Sequence, residues 1–279
     1  FYDFYWRGTV RAIGELARAA KRGGGKDWLV GFFYGYGIQY GGKAQESQHL
    51  GMHMLARNSD IDFFCSPGMY TVREPGGTSS FMSYTDSLQR RGKLWWHEAD
   101  NRTHLSVDNP VAPAQDLFES LHVLKREFAH AWCRHTGIWW FDMQGGWYDD
   151  PAILGLFREM VSFSKTPPVA WEPKTEIAVF YDEKSMYRLR SEEPLMNRTV
   201  TEFMAQMPRL GAPYHTYLLE DISSCQEYKV YIFTNAFDLT REELEVIRNL
   251  TNKPVTLIFM GSAPSRVVVQ KPYYGILSP

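Results

Sequence analysis

Residues 93–105, KLWWHEADNRTHL, pass from apolar to ionisable within a few positions. Leu94, Trp95, Trp96 and His97 read as a short buried strand, and Glu98, Asp100, Asn101, Arg102 and His104 follow it at once. Carboxylates placed where a buried strand surfaces are a common way to build a site at the carboxyl ends of parallel strands. The stretch therefore predicts a parallel β/α unit with its chemistry at the strand's end.

The same alternation runs outward from it. Apolar positions Val10, Ile13, Leu16, Ala17 and Ala20 predict a helix over 9–22, closed by Gly23-Gly24-Gly25. Residues 28–34, WLVGFFY, form a near-continuous apolar run of strand length, as a buried parallel strand requires. A helix is expected over 45–56, a strand over 61–65, a short helix over 86–91 and a strand over 94–97. A long amphipathic helix over 116–134, a strand over 138–141 and a helix over 153–164 complete this part. Strand and helix alternate four times, and each strand runs into a polar or aromatic loop: YGYG, SPGMY, EADNRT and DMQGGWYDD. A closed β/α barrel needs eight strands in about 250 residues. Four strands in residues 1–165 predict the second half of a (β/α)8 TIM barrel, with an open sheet as the alternative.

Pro167, Pro168 and Pro173 mark 166–173 as a linker. Residues 174–279 then alternate again, with strands over 176–181, 215–219, 230–234 and 255–260. Helices are expected within 194–210 and over 241–250, the latter capped by Thr240. This is the pattern of a small doubly wound α/β domain. It lacks both GxGxxG and Walker A, which counts against a nucleotide-linked regulatory role, the weakest alternative, and Cys225 does not stand in a nucleophile elbow.

Composition excludes several classes. The chain has 279 residues, 44% of them hydrophobic, and a net charge of -2, so no basic surface points to nucleic acid or an anionic membrane. No apolar run is long enough to span a membrane. The start, FYDFYWRG, is not a signal peptide, and the missing initiator Met suggests processing or a fragment. Cys65, Cys133 and Cys225 are scattered, as expected of reduced, buried cysteines rather than of zinc or disulfides. The sequons at Asn101, Asn197 and Asn249 read as chance matches in an unglycosylated, cytoplasmic protein. His49 and His53 are spaced i, i+4, but HExxH and a third ligand are missing, so a helix face is expected and no metal site. Aromatic residues make up 15% of the chain and include nine Trp, which suit either sugar faces or a barrel core.

Taken together, GFFYGYG (31–37), DIDFFCSPGMYTVREPGGTSSFM (60–82), GKLWWHEADNRTHL and WWFDMQGGWYDDP resemble the second half of a glycoside hydrolase family 42-like, β-galactosidase-like barrel. The domain after it is similar to that family's trimerisation domain, a flavodoxin- or amidotransferase-like module without amidotransferase activity. The resemblance implies a retaining hydrolase of β-linked glycosides, without a cofactor, assembled as a homotrimer. It implies two glutamates: a nucleophile at the end of barrel strand seven, where Glu98 falls, and an acid/base at the end of strand four. The acid/base would lie upstream of Phe1, in a missing N-terminal half-barrel.

Retaining hydrolysis needs an ionised nucleophile about 5–5.5 Å from a protonated carboxylic acid. Arg102 or loop donors are expected to keep the Glu98 pKa low; the alternative is a plain Glu98–Arg102 surface pair. Asp100 either binds sugar hydroxyls or caps the turn. Arg102 either orients Glu98, binds substrate or pairs with Asp100. Tyr34, Tyr36 and Tyr70 end two strands and could donate to the nucleophile or to substrate, or be core-edge residues. Trp140 and Trp147 are expected as a sugar platform with Asp142 on the hydroxyls. Strand alternation turns His97 to the face opposite Glu98, toward a helix. The competing reading is a non-catalytic carbohydrate-binding or assembly protein that lacks one catalytic carboxylate.

Overall fold

The computed structural model describes residues 2–25, 27–47, 49–106, 114–165, 174–192 and 194–261. The first part holds α1 (Tyr2–Gly24), β1 (Gly31–Phe33), α2 (Met52–Leu55), β2 (Phe63–Pro67), α3 (Thr85–Gln89), β3 (Leu94–Ala99), α4 (Leu117–Cys133), β4 (Gly137–Trp140) and α5 (Pro151–Ser164). Its four strands are all parallel and lie in chain order, β1-β2-β3-β4. The second part holds β5 (Ile177–Tyr181), α6 (Glu183–Met186), α7 (Pro194–Met196), α8 (Phe203–Gln206), β6 (Tyr214–Leu218), β7 (Val230–Phe233), α9 (Arg241–Leu250) and β8 (Thr256–Phe259). Its sheet is also parallel, but the order β6-β5-β7-β8 reverses direction at β5. The protein is thus α/β, with two parallel sheets. No helix among the described residues is long and apolar enough to cross a membrane. The expected linker at 166–173 lies outside the described residues, as does the segment after 261.

Local chemistry explains most element ends. Asp116 caps α4 by accepting from the Glu119 N–H, and Asp150 caps α5, whose first residue is Pro151. Thr240 and Glu243 form a reciprocal capping box on α9. Three expectations need correction. The run 28–34 contributes only Gly31–Phe33 to the sheet, because Asp62 takes the Val30 N–H and Lys21 binds the Trp28 carbonyl, leaving Trp28 and Leu29 exposed. The helix expected over 45–56 shrinks to Met52–Leu55. Gly51 turns left-handed before it, and the carboxylate of Glu183 accepts the N–H groups of Met52 and His53, each at 2.9 Å. The segment 194–210 is wound at several pitches, with a π-helical turn over Asn197–Glu202 and a 3-10 turn over Met207–Leu210. There the Thr201 hydroxyl donates to the Ile38 carbonyl and accepts from the Gly41 N–H.

The two sheets share a core, beside a smaller cluster of each part's own. One buried cluster joins Trp6, Phe64, Tyr84 and Trp95 of the first part to Val179, Tyr181, Met186 and Leu218 of the second. Polar contacts pin the same seam. Asp86 accepts from Arg134 and from the Thr216 backbone and hydroxyl, and Asp221 accepts from Ser87 and both terminal nitrogens of Arg91.

The faces of the first sheet differ. Phe64, Trp95, His97 and Ala99 point to the helix side and are buried. Register puts Phe33, Phe63, Leu94, Trp96, Glu98 and Trp139 on the other face. That face stays partly open among the described residues: Phe33 is 53% exposed and Leu94 38%.

Candidate active site

Glu98 is next to last in β3, level with Pro67 of β2 and Trp139 of β4. Its side chain lies on the open face, yet the residue is only 5% exposed. No hydrogen bond reaches its carboxylate among the described residues. Burial and the charge of Asp100 push the Glu98 carboxyl up to about 7, against the opposing pull of Arg73. The expectation of a low pKa set by Arg102 is therefore corrected: the cation that lowers it is Arg73, and burial wins.

Just beyond the strand, Asp100 pairs with Arg73, and both are buried. Arg73 lies 4.5 Å over the ring of Tyr70, which is 37% exposed. The loop carrying Arg73 is held by Arg126, which donates to the carbonyls of Arg73, Glu74 and Gly77, each at 2.8 Å. Arg126 is anchored in turn on Glu127, which also accepts from Ser79 at 2.9 Å and Asn101 at 3.3 Å and bonds His97 at 2.9 Å. Burial alone would raise the Glu127 pKa, but His97 and Arg126 bring it down to about 2. His97 thus meets α4, as alternation predicts. Asn101, bound to Glu127 and buried, is closed to a glycan in this fold.

Arg102 has no hydrogen bond to its guanidinium among the described residues. Its Nε and Nη1 are buried without an acceptor, and the group lies 5.1 Å from the Trp147 ring. It pairs with neither Glu98 nor Asp100. Burial and the neighbouring Arg73 both lower its pKa. A second aromatic wall borders the site: Tyr36 stacks on His49 at 4.0 Å, and Tyr40 lies parallel to both. His49 is buried enough to fall to about 4 and is therefore neutral.

Of the expected substrate contacts, Asp100 and Tyr70 lie within electrostatic reach of Glu98, Arg102 neighbours Asp100, Arg73 and Tyr70, and the other four are placed elsewhere. The Tyr34 hydroxyl donates to the Leu50 carbonyl and its ring is buried. Trp140 stacks on Phe157 of α5 at 4.6 Å, on the helix side of the sheet. Trp147 is 2% exposed and joins the same cluster, so the two tryptophans form no surface platform. Asp142 accepts the Gly145 and Trp147 N–H groups and thereby builds the turn after β4. His49 and His53 do not share a helix; His53 bonds Glu183 at 2.7 Å. No group of three or more metal-ligating side chains occurs among the described residues. The three cysteines are free, Cys65 buried and Cys133 exposed rather than buried as expected.

Arg73, Arg126 and Glu127 escaped sequence reading. Glu127 had a signal: it falls in the inward stripe of α4 with Val123, Leu124 and Ala131. A charged residue at such a position calls for buried partners. Arg73 had none, since its partner lies across a loop.

A cavity of about 330 Å³ lies elsewhere, between the two parts, lined by Ile38, Phe81, His130, Met204 and Tyr214. No family model matches this chain, and no curated protein matches it.

Proposed function

We propose that the chain carries the nucleophile half of a retaining β-glycosidase, with Glu98 attacking the anomeric carbon of a β-linked glycoside of the β-galactoside class. The observation that carries this reading is a buried carboxylate, free of hydrogen bonds among the described residues, at the carboxyl end of a parallel strand on an open, aromatic sheet face. In such a reaction the second carboxylic acid protonates the leaving oxygen and then activates water. Asp100, tied to Arg73, is a poor acid/base. The acid/base is instead assigned to strands that would continue the sheet past β1 and β4, so that β1–β4 are the second half of a (β/α)8 barrel. Strand order, each strand beside its predecessor, suits this assignment. The second part, with its reversed strand order, is assigned as the flavodoxin-like, trimer-forming domain.

The test uses a 2-deoxy-2-fluoro-β-glycoside with a dinitrophenolate leaving group, which departs without a proton. Digestion and mass spectrometry are expected to place the fluoro-sugar on Glu98, with no label on Glu98→Gln. Labelling at another carboxylate, or none, counts against the reading.

The second reading is a sugar-binding or assembly protein without turnover. It is favoured by a Glu98 carboxyl near 7 with no free carboxylic acid facing it among the described residues. Saturable sugar binding without any glycosyl-enzyme would select it.

A further inference from the structure

Arg102 is a charged group that the proposed reaction does not use. It is 9% exposed, and two of its three guanidinium nitrogens are sealed from solvent without an acceptor. Leaving a buried cation unpaired is costly, because the lost hydration is not replaced. The Trp147 face at 5.1 Å returns part of that through cation–π attraction but accepts no N–H bond. Among the described residues no side chain accepts from these nitrogens. Asp100 is committed to Arg73, and the Tyr148 hydroxyl, which donates to the Ala99 carbonyl at 3.0 Å, does not accept from Arg102. Two guanidinium groups thus face one paired carboxylate, beside a Glu98 that pairs with neither.

We propose that the ligand of this site is itself a carboxylate: the glycoside is a hexuronide, and Arg102 binds the carboxylate of its sugar. This rests on the glycosidase reading of Glu98. One unpaired cation matches one monoanion, and the carboxylate meets Arg102 at Nη2, the guanidinium nitrogen that is not sealed. A dianionic phosphate would add a second charge next to Asp100 and Glu98, where only one is met.

The test is calorimetric titration of the purified chain, in its assembled form, with D-galacturonate, D-glucuronate, D-galactose, acetate and inorganic phosphate at pH 7.5. A uronate is expected to bind at least about tenfold tighter than galactose, the scale of one charged hydrogen bond. Arg102→Met is expected to bring the uronates down to the affinity that galactose shows on the same variant. Arg102→Lys is expected to restore part of the preference. The uronate-to-galactose ratio on the unaltered chain stands even if a variant fails to fold. Equal binding of galactose and the uronates overturns the carboxylate assignment and leaves the glycosidase reading intact. Acetate or phosphate binding as tightly as the uronates overturns the hexuronide, since the sugar then contributes nothing. Binding of none of the five also overturns it, while labelling of Glu98 decides the glycosidase reading by itself.

Discussion

Burial raises the pKa of Glu98 and of Glu127, and their neighbours then send the two in opposite directions. Among the described residues Glu98 meets no donor, and it sits near 7, above the ordinary carboxylate value. Protonation therefore favours its folded state. The contribution is fully present below the ordinary carboxylate pKa and is lost as pH rises through about 7. Glu98→Gln is expected to stabilise the fold at pH 8 by roughly 1–3 kcal/mol and to change little at pH 4. Glu127 has the opposite sign, since its carboxyl is held near 2. Its contribution is present above the ordinary carboxylate pKa and is lost as pH falls through about 2. Glu127→Gln is expected to cost roughly 2–4 kcal/mol at pH 7, with a smaller penalty as pH falls toward 3. Urea denaturation of both variants across pH checks the two signs; an identical pH slope in both would refute this assignment. At this scale the sequence was readable where alternation rules. His97 and Glu98 are adjacent, so they had to face opposite sides of the sheet. Arg73 was unreadable, because its ion pair with Asp100 is made by a loop whose path Arg126 fixes.

Elements were readable where they carry their own signals. β2, β3, β4 and the strands of the second sheet are short apolar runs, and each lies within about two residues of its expected place. α9 brought its own cap, and the structure adds the reciprocal Glu243 bond that completes the box. Thr240→Ala is therefore expected to lower stability by about 1 kcal/mol, and Thr240→Gly by only a few tenths. The urea midpoint of each variant measures this; an unchanged midpoint for Thr240→Ala would place α9 outside the cooperative core. The helix expected over 45–56 carried no such signal. Its helical part is α2 alone, and the cap on α2 comes from Glu183 of α6, in the second part. Local propensity cannot report a cap supplied by a residue about 130 positions away in the sequence. The same holds for 194–210, where contacts to Ile38 and Gly41 accompany the change of helical pitch.

At the scale of the molecule, the first sheet is unusual for an all-parallel one, since such sheets normally have both faces covered. Among the described residues, its helix side is packed while Phe33, Leu94, Trp96 and Trp139 line a face that nothing seals. β1 and β4 each have a strand partner on one side only among the described residues. Open edges and a contiguous apolar face drive association. The chain purified alone is therefore expected to self-associate, or to copurify with a polypeptide that completes the sheet, and to bind a hydrophobic dye. Phe33 and Leu94 are the exposed members of this face, so charging them removes apolar surface without opening the core. Phe33→Glu with Leu94→Glu is expected to shift the chain toward monomer in sedimentation and to reduce dye binding, with little change in the urea midpoint. A chain that is already a monomer, binds no dye and has no partner would remove the case for a half-barrel. The four strands would then be a self-sufficient open sheet, and Glu98 would have no acid/base to work with.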